Sequence, residues 1–316
     1  MERFGLPEWG GLIQSRRQIL KASLMGIPYL AFGDLRRLFA AAPAPLFSVE
    51  VYIWVQILSR QHRSLSDGLP EIFSSAKAPG FHNIELTDIF FTPDLSARTL
   101  SLLQANQLST PSVYVHGAMH EMAVGAETEQ RALSVLAAAR KAGCRAIVCD
   151  PEPKAVGEKT DDELAMQAML ANRLGRKLAA EGAALRLHNH KVELQSDARE
   201  WRYMLSRTDP KVVSVCLDID WVKQAGYEPM DLLREAGSRV SEIHIRSSRN
   251  LVWQESVEAD GDVDYKPIAA FLKKERLEPL VVVELAYAER TTVSRTLEDD
   301  LRRSRIFAEQ IFDGSV

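Results

Sequence analysis

Eight times between residues 46 and 316 the chain repeats one unit, a short apolar run followed by a helix-forming stretch. The runs are LFSVEVYIWV (46–55), NIEL (83–86), PSVYVHG (111–117), CRAIVCD (144–150), ALRLHNH (184–190), VVSVCLD (212–218), VSEIHIR (240–246) and LVVVEL (280–285). The helical stretches predicted between and after them cover a short EIFSSAKA segment behind a turn at Ser66–Pro70, then about 94–107, 127–143, 161–182, 195–207, 229–236, 264–275 and 294–311. Short runs that read as apolar on both faces, each separated from the next by a helix, predict a parallel sheet covered by helices. The count of eight favours closure, so the expected fold is α/β, a (β/α)8 TIM barrel. No linker divides residues 46–316, which are expected to form one domain.

Residues 1–45 read differently. Ser15-Arg16-Arg17-Gln18-Ile19-Leu20-Lys21 resembles a twin-arginine export signal, followed by the modestly apolar ASLMGIPYLAF and the small-residue stretch AAAPAP at 40–45. The expectation is a leader over 1–45 and an exported, periplasmic barrel; the competing reading is an amphipathic helix packed on the barrel. No other stretch is long and apolar enough to span a bilayer. The leader holds six basic and three acidic residues, which leaves 33 basic against 40 acidic in the remainder, a formal charge of −7. An acidic body argues against nucleic acid as a partner. Cys144, Cys149 and Cys216 all fall inside apolar runs, as buried thiols rather than a disulfide framework.

Chemistry concentrates at the ends of the runs. Five of the seven histidines, His116, His120, His188, His190 and His244, lie at or just past the end of a run, where a barrel of parallel strands binds its ligands. The strongest constellation is His188, Asp218, His244 and Glu284, one from each of the last four runs. Imidazole and carboxylate together suit Mn²⁺ first, with Co²⁺, Fe²⁺ or Zn²⁺ compatible. The structural alternative has Asp218 capping the loop after its strand and Glu284 paired with an arginine such as Arg246.

These pieces, together with LSDGLPEIFSSAKAPGFHNIEL (65–86), LHNHKVE (187–193), LDIDWVKQAGYEPMDLL (217–233), SEIHIR (241–246), ADGDVDY (259–265) and VVVEL (281–285), resemble the xylose isomerase-like barrel family of sugar phosphate isomerases and epimerases. The resemblance implies one divalent metal on His188, Asp218, His244 and Glu284, a small sugar or polyol as substrate, and an enediolate route. Pairing of barrels into a homodimer is a further implication. Two departures stand out. Many members carry Glu where this chain has His188, which puts two-base epimerisation in doubt, and relatives often show Lys-Asp where this chain has Arg246-Ser247-Ser248-Arg249.

The expected roles follow from these features. Glu284 or Glu193 is the base, with His190 as acid or proton shuttle. Glu85, His116 and Trp221 contact substrate, and Arg246 and Arg249 either bind an anionic group or offset the acidic rim. Asp150 and Glu152 read as loop caps, and Asp260-Gly261-Asp262 as a turn. The expected activity is a metal-dependent isomerase or epimerase, with a lyase or dehydratase on a keto-sugar as runner-up and a non-catalytic sugar-binding barrel as the alternative of another class.

Overall fold

Eight strands close on themselves: β1 (Phe47–Glu50), β2 (Ile84–Thr87), β3 (Ser112–His116), β4 (Ala146–Asp150), β5 (Ala184–His188), β6 (Val213–Asp218), β7 (Val240–Ile245) and β8 (Leu280–Val283). In the computed structural model, which describes residues 47–313, each pairs in parallel with its sequence neighbours, and β1 pairs with β8 to complete the ring. The expected leader and its export signal fall on residues that lie outside the described ones. Among the described residues no helix is long and apolar enough to cross a membrane.

The outer ring comprises α1 (Tyr52–Arg60), α2 (Leu65–Lys77), α3 (Ser96–Ala105), α4 (Met122–Ala139), α5 (Asp161–Ala180), α6 (Gln195–Arg207), α7 (Ile219–Gln224), α8 (Pro229–Ala236), α9 (Tyr265–Glu275) and α10 (Leu297–Phe312). Several start where a side chain satisfies the orphan N–H groups of the first turn. Thr160 and Glu163 form a reciprocal capping box on α5, while Ser64, Asp264 and Thr296 cap α2, α9 and α10.

Three local expectations are corrected. The first run is not one long strand: β1 stops at Glu50, and Tyr52–Val55 open α1, burying Ile53, Trp54 and Leu58. Branched and aromatic residues there fill a helix–barrel interface rather than a pleat. The turn expected at Ser66–Pro70 is instead the start of α2. Pro70 cannot donate to the Ser66 carbonyl, and Arg98 Nη1 donates to that oxygen at 2.9 Å. Finally, the strands are not apolar on both faces. Val49, Leu86, Val113, Leu185, Val215, Ile243 and Val283 pack into the main apolar core under the helices. Their alternates are largely polar and buried, among them Ser48, Glu50, Glu85, Ser112, Glu242 and His244. Ser112 Oγ on β3 donates to Glu242 on β7 at 3.3 Å, and Arg186 on β5 pairs with the same Glu242. Those strands are not neighbours, so the contacts run through the barrel's interior. The barrel is therefore apolar outside and charged within.

Helix α5 lies close enough to the barrel to admit no side chain at Gly175, where a Cβ would sit 2.4 Å from the Val212 carbonyl oxygen. Gly175→Ala is expected to destabilise the chain by about 1–3 kcal/mol through this clash, despite alanine's helix-propensity advantage of about 1 kcal/mol. Urea unfolding midpoints of the two proteins check the sign.

Candidate metal centre

Register brings the chemistry to one height. Asp218 is level with His244 across β6 and β7, His188 with Cys216 across β5 and β6, and Glu284 follows β8 directly. His188, Asp218, His244 and Glu284 each place one ligand-type atom so that all four lie within 4.8 Å of one another. Asn189 ties two of these strand ends together: its side chain accepts from the Asp218 N–H at 3.0 Å and donates to the Asp218 carbonyl at 3.2 Å.

The two imidazoles are oriented as metal ligands would be. His188 Nδ1 contacts the Tyr114 hydroxyl at 3.1 Å, while its Nε2 is buried, has no hydrogen-bond partner and lies 3.8 Å from Asp218 Oδ2. His244 turns Nε2 down toward Glu85 at 3.0 Å and Glu242 at 3.3 Å, and Nδ1 up toward Glu284 Oε2 at 2.7 Å. One nitrogen of each ring is thus held by an oxygen and the other faces the cluster, the arrangement that outer partners impose on a ligating histidine. A mixed set of two nitrogens and two carboxylates fits Mn²⁺, Co²⁺, Fe²⁺ or Zn²⁺.

Charge below the cluster is balanced within the barrel. Burial, and then Glu242, push the Glu85 carboxyl up to about 8, so it keeps its proton at neutral pH. Burial also works against the Glu242 carboxylate, but Arg186 and hydrogen bonds from His244 and Glu85 outweigh it and hold Glu242 at about 2. Burial opposes a second proton on His244, yet Cys216, Glu85 and Glu242 raise it well above the usual imidazole range. A bound cation would displace that proton from Nδ1. Glu85, expected to contact substrate, is fully buried beside His244, with the Ser112 hydroxyl donating to it.

Arg246 dominates the rim. Its Nη2 donates to Asp218 Oδ2 and to Glu284 Oε1, each at 2.7 Å, and its guanidinium lies 4.7 Å from the Trp253 ring and 5.4 Å from Trp221. Burial raises the Asp218 and Glu284 carboxyls, but Arg246 and the facing histidines bring both below the ordinary range, Glu284 well below it. Asp218 Oδ1 meanwhile caps α7 by accepting from the Trp221 N–H at 2.8 Å. The structural alternative from the sequence, a capping Asp218 and an arginine-paired Glu284, is therefore present alongside the four-residue cluster. Arg249, on the hairpin Ser248–Arg249/Val252–Trp253, is exposed and pairs with Asp260. Asp262 accepts from the Asn250 and Leu251 N–H groups, so Asp260–Asp262 does serve the turn.

The remaining residues form a shell around the cluster. His190 packs against His188, with ring centroids 4.8 Å apart, and against Trp221 at 5.6 Å. Its Nδ1 lies 3.7 Å from Asp150 Oδ2, and Asp150 Oδ1 lies 3.0 Å from His116 Nδ1. Asp150 is thus a buried joint between two histidines rather than a loop cap. Glu193 is not gathered into the cluster; it accepts from the His190 backbone N–H at 2.7 Å and props the turn after β5. Burial pushes its carboxyl up to about 7. His120 is half-buried in the loop after β3 and joins none of these contacts.

Tyr114, Arg186, Glu242 and Trp253 were not singled out from the sequence. The first three stand two residues before His116, His188 and His244, so a period of two was the available signal. Trp253 lies on the hairpin, with no such periodicity.

Residues 61–307 match the family described as xylose isomerase-like TIM barrel. An inosose dehydratase from Geobacillus kaustophilus is 27% identical over 179 residues, 45% of this chain and 56% of that protein. One from Clostridium tetani is 24% identical over 142 residues, 40% of this chain and 48% of that protein. The chain spans about half the length of the curated relatives it matches. Among solved structures, an L-ribulose 3-epimerase superposes with a TM-score of 0.68 at 13% identity, covering 85% of this chain and 95% of that one. A D-allulose 3-epimerase from Methylomonas sp. gives 0.67 at 17% identity, covering 84% and 98%. At such identities these two likenesses speak to the fold.

Proposed function

The chain belongs to the xylose isomerase-like TIM barrel family, and from that premise and the site's geometry we propose that it is a divalent-metal-dependent enzyme that abstracts a proton beside the carbonyl of a keto-sugar or keto-polyol and expels a hydroxyl group. The observation that carries the elimination is His188. Its Nδ1 is engaged by Tyr114 and its Nε2 faces the cluster without a hydrogen-bond partner, so with the proton on Nδ1 it serves as ligand and not as a base. Asp218 is fully buried and Glu284 partly accessible, so Glu284 is the carboxylate placed to take a proton from carbon. One-base chemistry leads to elimination more readily than to two-base epimerisation, and the partial similarity to inosose dehydratases supports that direction.

The ion would be held by His188, Asp218, His244 and Glu284, and when bound it would polarise the substrate carbonyl. Glu284, the most accessible of the four, accepts the proton. His190 passes a proton to the departing hydroxyl. Burial and His188 lower its pKa, so at neutral pH the ring is mainly neutral and the proton it passes on is one taken up during turnover. Trp221 and Trp253 wall the mouth.

Incubation with inosose and Mn²⁺ in D₂O, followed by NMR, tests the reading. The expected product has lost one hydroxyl. Deuterium gained at carbon without loss of water assigns an epimerase, the second reading, for which His190 across from Glu284 would be the second proton carrier. A substrate unchanged in both respects counts against inosose-type ketones altogether.

A further inference from the structure

We propose that Arg246 is a resident cation that competes with the divalent ion for Asp218 and Glu284, so that the ion enters only as the guanidinium leaves. This rests on the metal reading above. The argument lies in which oxygens are taken. Asp218 Oδ1 is fixed by the Trp221 N–H, so the oxygen available to an ion is Oδ2, the one nearest His188 Nε2. That same Oδ2 accepts from Arg246 Nη2. The same nitrogen also occupies Glu284 Oε1, and His244 Nδ1 occupies Oε2. Guanidinium and ion would therefore share Asp218 Oδ2, and two like charges at that spacing in a buried site repel strongly.

Arg246 also has somewhere to go. The faces of Trp253 and Trp221 already flank it, and such rings accommodate a guanidinium that has lost its carboxylates. Its Nε is buried and without a hydrogen-bond partner, so one nitrogen alone anchors the side chain in the cluster. Departure of the guanidinium frees Glu284 Oε1, the atom that the proposed proton abstraction uses. Metal entry and activation of the base thus become one event.

Isothermal titration of the chelator-stripped full chain with MnCl₂ tests this, comparing wild type with Arg246→Gln. The variant is expected to bind Mn²⁺ tighter by about tenfold or more, because the competitor is gone. Equal or weaker binding by a folded variant overturns the inference while leaving the metal reading intact. Absence of binding by both proteins overturns the two together. Should Arg246→Gln not fold, wild type decides alone. Saturating Zn²⁺, a closed-shell ion, is expected to shift tryptophan emission as the guanidinium moves against Trp221 and Trp253, and an unshifted spectrum at saturation overturns the proposal.

Discussion

Glutamine in place of Glu284 is expected to leave a folded barrel whose turnover falls by about 10²–10⁴-fold, the range that general acid–base groups supply. The substitution is close to isosteric, so packing under the rim is preserved. It removes the charge that meets both Arg246 Nη2 and His244 Nδ1, each at 2.7 Å. Metal affinity should fall as well, because one of four donors loses its charge. Two measurements separate the effects: turnover at saturating Mn²⁺, which reports the lost base, and the titration curve, which reports the lost ligand. If turnover at saturating metal stays within about tenfold of wild type, below the range for such a group, Glu284 is not the base. His190 would then inherit that role, with Asp150 behind it.

Much of this architecture is readable from the chain because a (β/α)8 barrel writes its strands and helices in strict alternation. The four cluster residues are readable for the same reason: parallel strands that end level with one another must deliver their last side chains to one rim. What is not readable is what lies beneath. In a four-residue run such as NIEL, Glu85 is one of two polar residues alternating with two apolar ones. Only closure of the ring shows that it meets His244 from β7, five strands away by sequence. The fate of Arg246 and Arg249 is hidden for a related reason. The two are three residues apart, but the hairpin at 248–253 carries Arg249 out to Asp260 while Arg246 stays at the strand end. Local composition likewise cannot separate YIWV as strand from YIWV as helix, since branched and aromatic residues suit any buried interface. The paired register of β1 with β2 ends at Glu50 beside Glu85, and the chain leaves the sheet there to begin α1.

The charged interior makes a second, larger prediction, about stability. Arg186 is the strong base that faces Glu242, which is itself fully buried among Ser112, His244 and a protonated Glu85. Removing one partner of such a pair strands the other charge away from water, at a cost of about 3–5 kcal/mol. Arg186→Met is therefore expected to lower unfolding stability by about that amount, measured by urea denaturation. Adding Glu242→Gln to the same chain removes the stranded charge and should recover much of the loss, because a neutral pair in the interior has no ionic desolvation to offset. The two variants also part in function. Glu242 holds His244 Nε2 at 3.3 Å, so a carboxylate left without Arg186 still orients the ring, whereas glutamine holds it less firmly. The doubly substituted protein should thus be the more stable of the two but bind Mn²⁺ more weakly, by about 10–100-fold relative to wild type, as loss of an outer partner does elsewhere. Stability and affinity moving in opposite directions would mark the buried charges as serving the metal rather than the fold. If both recover together in the double variant, Glu242 is merely half of an ion pair, and the orientation of His244 must come from Glu85 alone.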